Sequence, residues 1–572
     1  MTQKALKVSP VTQKAFAYVL SALVYTVGCT SPPSEDISIE RDAISIEDGL
    51  INGVSVGANG MVRAYLGIPY AAPPVGERRW LPPQPVEPWR DTLETTQFSP
   101  GCMQDALPVP ADADPFFGAG ATEFDEDCLY LNVWSAAKSN AQLPVLVWIH
   151  GGGLVVGDGA EKASNGASLA ARGAVVVTIN YRLGPFGYLA HPLLREESEH
   201  DASGNYGLLD QIAALQWVQR NIAVFGGDPD RVTIFGESAG SWSVNYLMAT
   251  PLTRGLFAGA IGQSGGVFGP LASVIPRDVA ELAGQHLAEA TLGPFGEENR
   301  HQVVTLDGLR LAPAEDLLGA AATPRRANSD GWIMPDSENY VFPTRPHIDG
   351  WVMPDSVRNI FAAGLQNDVP VIVGANADEG TALRALGQTE GITTVDQYRE
   401  QARQQYGALA DAYLAVYPAA TDAEVVPRLI DSLGDGAFVW EMRTWARMME
   451  TVSSPAYLYF FTRVPPAVDS DLYGAYHTAE IPYVFNNLVG GSRYWYANRD
   501  YDETDRELSE VISSYWINFA ASGNPNKDDL PEWPAYTHEA DISMALGDTV
   551  QAKQSIRKKQ LDFFDEYYGA QN

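Results

Sequence analysis

Val232-Thr233-Ile234-Phe235-Gly236-Glu237-Ser238-Ala239-Gly240 is the stretch that decides the fold. A short β-rich apolar run leads into Gly-x-Ser-x-Gly. Residues 241–249 then have helical composition until Pro251 stops them. The expectation is a strand, a sharp turn carrying one serine, and a helix, the arrangement that exposes a serine as a nucleophile. Side chains two residues either side of such a serine would clash, so glycine stands at both positions. The helix aims its free N–H groups and its positive end back at Ser238, where negative charge develops in acyl transfer.

The pattern needs its context. A chain of this length and glycine content holds roughly 0.3 matches to Gly-x-Ser-x-Gly by chance. A second match is present, Gly262-Gln263-Ser264-Gly265-Gly266. It is followed by Val267-Phe268-Gly269-Pro270, a poor helix start, so Ser238 is the serine expected to carry chemistry.

Of the 572 residues, 45% are hydrophobic, enough for a large core in one big domain or in roughly two to three ordinary ones. The formal net charge is −33, from 71 acidic against 38 basic residues. Such a surface repels phosphate backbones and excludes nucleic-acid binding as a function class; it suits solubility in a salty or extracellular medium. Three cysteines in so long a chain are not a disulfide scaffold.

Residues 1–29 read as a signal peptide. Lys4, Lys7 and Lys14 precede the apolar run 15–28, too short to span a bilayer comfortably. The run ends at Val27-Gly28-Cys29, a small residue before a cysteine, as in a bacterial lipoprotein signal, although Thr26 stands where that signal usually has Leu. Residues 30–42 then form a flexible tether. The expectation is export to the periplasm, the outside, or the outer membrane, with Cys29 as the candidate for a lipid that attaches the protein to a membrane.

Residues 43–56, around Asp48-Gly49 and Asn52-Gly53, read as hairpin strands at the start of the fold. The Pro-rich stretch 65–74 reads as a rigid coil packed on the core. Cys102 and Cys128 bracket a segment rich in Ala, Pro, Asp and Gly with Phe116-Phe117 in its middle. In an exported chain these two cysteines pair, and the closed loop contributes about 3.5 kcal/mol by constraining the unfolded chain. The product is a surface loop with aromatics, suited to a lid or rim.

Leu143-Pro144-Val145-Leu146-Val147-Trp148-Ile149 is a continuous apolar run, as for a strand buried on both faces, and it runs straight into His150-Gly151-Gly152-Gly153. Glycines there let the backbone turn N–H groups towards a substrate oxygen. Residues 174–179 form another buried strand, and 204–218 open an amphipathic helix. Strands alternating with helices mean a mostly parallel α/β sheet. Asp330-Gly331-Trp332-Ile333-Met334-Pro335-Asp336-Ser337 and Asp349-Gly350-Trp351-Val352-Met353-Pro354-Asp355-Ser356 are near-copies, a local duplication that reads as an insertion loop. A strand at 369–374 precedes Asp378-Glu379-Gly380; residues 396–435 are mostly helical, 455–462 is the last strongly apolar strand, and 504–521 is the last helix. The whole of 43–572 reads as one catalytic domain with helical insertions.

A serine nucleophile needs a base within reach and an acid behind it. After a strand–turn–helix serine the partners follow in the order acid, then histidine. Asp378 and Glu379 stand at a strand end after Ser238, and the residues alone leave the choice between them open. His286, His301 and His347 precede both acids and break the order. His538 lies in a Pro- and Trp-rich tail, whereas His477 follows the last strong strand, where the base belongs.

At this point the chain resembles the type-B carboxylesterase/lipase family of α/β-hydrolases, which includes cholinesterases and fungal lipases. The resemblance covers residues 43 to about 536. It rests on Leu66-Gly67-Ile68-Pro69-Tyr70-Ala71, Glu126-Asp127-Cys128-Leu129-Tyr130-Leu131-Asn132-Val133, His150-Gly151-Gly152-Gly153, Gly236-Glu237-Ser238-Ala239-Gly240, Asp378-Glu379-Gly380 and His477-Thr478-Ala479-Glu480.

The resemblance implies an α/β-hydrolase fold and a serine carboxylesterase acting on small-molecule esters through an acyl-enzyme, with no metal or cofactor. It implies Ser238 as nucleophile, Glu379 as acid and His477 as base, and the N–H groups of Gly152, Gly153 and Ala239 as oxyanion hole. Glu237, Ser264 and Glu480 match a set that supports the histidine, and the pair Cys102 and Cys128 matches a family disulfide beside the active-site gorge. Cholinesterases carry a tryptophan in that loop for the choline cation; 103–127 contains none, which argues against a choline ester. The alternatives are an interfacial lipase and a non-catalytic binding protein on the same fold.

Overall fold

The computed structural model describes residues 43–570, apart from 58–59, 106–119, 122, 138–139, 293–303, 323–344, 382–390, 468–469, 489–492, 495–496 and 528. The readings of 1–29 as signal peptide and 30–42 as tether, most of the disulfide loop's interior, His301 and the first Asp-Gly-Trp copy lie outside the described residues.

Eleven strands form one sheet: β1 (Val54–Val56), β2 (Val62–Pro69), β3 (Tyr130–Ser135), β4 (Leu143–Ile149), β5 (Val175–Ile179), β6 (Gly227–Glu237), β7 (Gly259–Gln263), β8 (Val371–Asn376), β9 (Ala456–Phe461), β10 (Ile542–Leu546) and β11 (Gln551–Gln554). Their spatial order is β11-β10-β9-β8-β7-β6-β4-β5-β3-β2-β1. The block from β5 to β10 is parallel, and both edges are antiparallel. This is a mostly parallel α/β sheet, as the resemblance to α/β-hydrolases implies. The chain leaves β4 for β5 on one side, then returns to place β6 on the other. That reversal opens a crevice at the C-terminal ends of β4 and β6, the place where open parallel sheets bind ligands.

The apolar run 143–149 serves both faces. Val145, Val147 and Ile149 join one buried cluster, and Leu146 and Trp148 join another. Helices α1 (Tyr206–Asn221) and α2 (Ala239–Ala249) cover the first face through Ile212, Leu215, Val244 and Leu247. On the same face lies α3 (Trp440–Met448), while α4 (Glu503–Ser522) covers the second face through Leu508, Ile512, Trp516 and Phe519. Each such side chain contributes about 1.5–3 kcal/mol by leaving water. Asp502 caps α4 by accepting the Asp505 N–H (3.1 Å), and Gly523 at φ 71 ends it. Among the described residues no helix is long and apolar enough to cross a membrane.

Several local expectations change. Ile44–Ile46 and Gly49–Asn52 do form a hairpin at Asp48-Gly49, but Asn52-Gly53 is no hairpin turn: Val54 beyond it starts β1 of the main sheet. Residues 65–69 are strand, not coil. The Pro-rich stretch hid β2 because its register shifts between Tyr65 and Ile68, where Gly67 at φ 71 turns its N–H to Asn132 Oδ1 (2.9 Å). Two later elements were invisible as well. β10 is short and carries Ser543, and α5 (Lys558–Ala570) follows it, so His538 precedes the last strand and the last helix. The second Asp-Gly-Trp copy is a tight loop: Asp349 Oδ1 accepts the N–H groups of Trp351 (3.0 Å) and Met353 (2.8 Å), and Trp351 stacks on His200.

Candidate active site

β6 ends at Glu237 and α2 begins at Ala239, leaving Ser238 alone at the turn with φ 55 and ψ −122. A non-glycine residue held there costs on the order of 1–3 kcal/mol, which the surroundings must offset. They do so by close packing. A Cβ on Gly236 would lie 2.5 Å from the Gly240 carbonyl carbon, and one on Gly240 would lie 2.0 Å from Ile149 O at the end of β4. The Ser238 N–H donates to Gln263 O at 2.9 Å, and its carbonyl accepts the Trp242 N–H at 3.0 Å.

The glycine loop after β4 presses on this turn. A Cβ on Gly151 would lie 3.3 Å from Ser238 Cβ. Gly152 (φ 94) and Gly153 (φ 65) have left-handed backbones, and the Gly152 carbonyl accepts the N–H groups of Val155 and Val156, both at 3.1 Å. Among the described residues none accepts the N–H of Gly152 or Gly153. The Ala239 N–H is one of the first in α2, which have no partner within the helix. His150 stacks on Tyr181 at 4.4 Å, and the Tyr181 hydroxyl donates to His150 O at 2.9 Å. Burial pushes the His150 imidazole down to about 4, so it stays neutral and structural.

The loop is braced from the disulfide side. Cys102 and Cys128 are bonded, with Cα atoms 4.9 Å apart. Gln104 Nε2 donates to Gly157 O (2.9 Å) and Gln104 Oε1 accepts the Gly157 N–H (2.8 Å). Asp158 Oδ2 accepts the Ala121 N–H at 3.1 Å.

At the far side of the crevice, β8 and the segment after β9 bring the acid and the histidine together. His477 Nδ1 lies 2.6 Å from Glu379 Oε2, and Glu379 Oε1 accepts the Asn376 N–H at 2.7 Å. Asp378 turns elsewhere: its Oδ2 accepts the Ala475 N–H at 2.7 Å and so shapes the loop that carries His477. Geometry thus joins Glu379, not Asp378, to the histidine. His477 Nε2 lies 3.2 Å from Oε1 of Glu237, the residue before Ser238.

Two buried carboxyls, Glu379 and Glu237, flank the imidazole, and a third, Glu480, is tied to the same cluster through Asn376. Glu237 is pushed well above the ordinary range by burial first, then by the charges of Glu480, Glu379 and Glu161. Glu480 is raised by burial and by Glu379, although its oxygens accept from Asn376 Nδ2 (2.6 Å) and Gln263 Nε2 (3.0 Å). Ser264 is fully buried at the end of β7 with φ 52, and its Oγ has no hydrogen-bond partner among the described residues. His347 and His538 stand apart from this cluster. His347 is buried beside Asn205 and held near 4 by burial, and the exposed His538 segment is tied to Glu450 through a backbone N–H.

Three residues of the cluster were not singled out from the sequence. Asn376 ties Glu379, Glu480 and the Tyr476 carbonyl (2.8 Å) into one unit. Its position three residues before Glu379, at a strand end, was the available signal. Gln263 lies beside Ser264 in the second Gly-x-Ser-x-Gly. Phe438, whose ring centroid is 4.6 Å from that of His477, sits in a π-helical turn that carries no sequence signal.

Residues 40–564 match the model of the Carboxylesterase family. The chain is 35% identical over 545 residues to fumonisin B1 esterase of Sphingopyxis macrogoltabida, covering 94% of this chain and 92% of that protein. It is 34% identical to para-nitrobenzyl esterase of Bacillus subtilis (strain 168), covering 90% of this chain and 97% of that one. A solved PNB esterase superposes with a TM-score of 0.71 at 32% identity, over 92% of this chain and all 100% of the other.

Proposed function

This chain belongs to the carboxylesterase family and is a carboxylic ester hydrolase, and from that premise we propose that Ser238, Glu379 and His477 perform the reaction through an acyl-enzyme. The observation that carries this reading is the 2.6 Å contact between Glu379 and His477 Nδ1, with Nε2 3.2 Å from the side chain of Glu237, the residue before Ser238. His477 Nε2 takes the proton of Ser238 as Oγ attacks the ester carbonyl, and Glu379 orients the imidazole and stabilises its charged form. The N–H groups of Gly152, Gly153 and Ala239 face the developing oxyanion, each worth roughly 3 kcal/mol if comparable donors are a guide. The imidazolium returns its proton to the departing alcohol, and water repeats the cycle to release the acid.

Glu237 has a supporting part. Burial and its neighbours push Glu237 towards its neutral form, and it lies 3.2 Å from Nε2 while Glu379 holds Nδ1. Glu480, Asn376 and Gln263 hold the array, and the disulfide-bonded loop braces the glycine loop through Gln104.

The substrate is a small-molecule ester. Ser238→Ala is expected to lower hydrolysis of a short p-nitrophenyl ester by at least about a thousandfold with the thermal midpoint retained; full activity in that variant overturns the assignment. Residues 1–29 are read as an export signal, with Cys29 as the lipid-bearing residue, 30–42 as tether and 43–572 as the catalytic domain. Cell-surface or membrane recovery that Cys29→Ser abolishes supports the lipid; unchanged membrane recovery refutes it.

A further inference from the structure

Arg557 stands just before α5, far in sequence from every residue of the site, and its backbone is left-handed at φ 51. A non-glycine residue in that conformation is uncommon and persists where its surroundings hold it. Its guanidinium makes two contacts at the back of the acid–histidine array. Nη1 donates to Asp435 Oδ1 at 2.5 Å, and Nη2 donates to Ala377 O at 2.6 Å. Ala377 is two residues before Glu379. Asp435 is buried, also accepts the Tyr417 hydroxyl at 2.7 Å, and opens the π-helical turn Asp435–Val439 that carries Phe438 against His477.

The segments that Arg557 joins also touch each other. A Cβ on Gly434 would lie 2.6 Å from Gly380 N and 3.2 Å from Glu379 Cβ, and one on Gly436 would lie 2.7 Å from the Phe564 ring of α5. There is no slack between the turn, the acid loop and the C-terminal helix. A π-helical turn has one residue more than the α-helix around it and persists where that residue has a use. Here the turn carries Phe438, whose ring centroid lies 4.6 Å from that of His477.

We propose that Arg557 is a positioning residue for ester hydrolysis: one guanidinium fixes the loop of Glu379 and the turn of Phe438 together, and so sets where the His477 ring sits. The inference rests on the roles proposed above for Ser238, Glu379 and His477. A purely structural rival is that Arg557 only docks α5. That helix has a second, separate anchor, because Arg443 Nη2 bonds Asp562 Oδ1 (2.6 Å) and Asp565 Oδ2 (2.7 Å) without touching Ala377 or Asp435.

The test compares Arg557→Met, Arg557→Lys, Asp435→Asn and Arg443→Met in the full chain, with kcat, KM and thermal midpoint measured on a p-nitrophenyl ester. Arg557→Met is expected to lower kcat by about 10- to 100-fold with KM within about twofold, since small displacements of a catalytic group cost rate rather than binding. Arg557→Lys is expected to recover part of the loss, and Asp435→Asn to fall between it and the parent. Arg443→Met is expected to lower the thermal midpoint while kcat stays within about twofold. Should Arg557→Met not fold, Arg557→Lys and Asp435→Asn carry the comparison. Parent-like kcat in these variants, or an equal kcat loss in Arg443→Met, overturns the proposal. Ser238→Ala in the same series separates the two levels: if it is inactive while Arg557→Met is not, only the role of Arg557 falls, and if it is active the roles of the site fall first.

Discussion

Ser238 and the glycine loop are held chiefly by backbone, whereas Glu379 and His477 are held chiefly by side chains, several of them from widely separated segments. On the serine side the constraints are glycines with no room for a Cβ, a serine at φ 55 and strand ends packed within van der Waals contact. On the acid–histidine side they are the hydrogen bonds made by the side chains of Asn376, Gln263 and Asp378, a ring from Phe438 and buried carboxyls. The first kind of order is local and almost all-or-none. The second is distributed, so its members differ in weight, and substitution there is expected to change rate more than stability.

The largest expected effect sharpens that contrast. Glu379→Gln keeps the shape of the side chain but removes the charge opposite the imidazolium, and kcat is expected to fall about ten-thousandfold with little change in thermal midpoint. Asp378→Asn, one residue away, is expected to cost less than about tenfold, because Asp378 touches the Ala475 N–H and not the histidine. Equal losses in the two variants would erase the distinction between them.

Gly240→Ala probes the serine side. The added Cβ meets the backbone oxygen of Ile149 at 2.0 Å, so the fold itself must give. Destabilisation above about 4 kcal/mol by denaturant titration is expected, with activity lost alongside. A stable but inactive protein would mean that the turn tolerates a side chain and that order there is not all-or-none.

The smallest effect is a pH dependence behind the serine turn. Glu441 is buried, accepts the N–H groups of Phe268 (2.8 Å) and Gly269 (2.7 Å), and is pushed by burial from 4.5 up to about 7. Between those values the folded chain binds the proton more tightly than the unfolded one. Stability from this group is therefore full below about 4.5 and falls as pH rises to about 7, by on the order of a few kcal/mol at most. Glu441→Gln is expected to flatten the thermal midpoint across that window relative to the parent; parallel curves would contradict it.

The same contrast explains what could be read from the sequence. Gly236-x-Ser238-x-Gly240 and His150-Gly151-Gly152-Gly153 are legible because backbone strain must be met by residue type at fixed local spacing. The apolar run 143–149 announces a strand buried on both faces for a similar reason. Asp378 and Glu379 look alike by spacing; the family resemblance points to Glu379, and the fold brings that carboxyl to the imidazole. Phe438 and Arg557 were silent because their partners lie on other segments. β2 was obscured by its bulge at Gly67, and β10 by Ser543 within its short apolar run.

The central claim is that Ser238 is the one activated serine. Treating the full chain with a fluorophosphonate and mapping the adduct by peptide mass tests it most directly. A single adduct on Ser238, formed far more slowly in Glu379→Gln, is the expected result. No adduct, or an adduct on Ser264 in the second Gly-x-Ser-x-Gly, would contradict it.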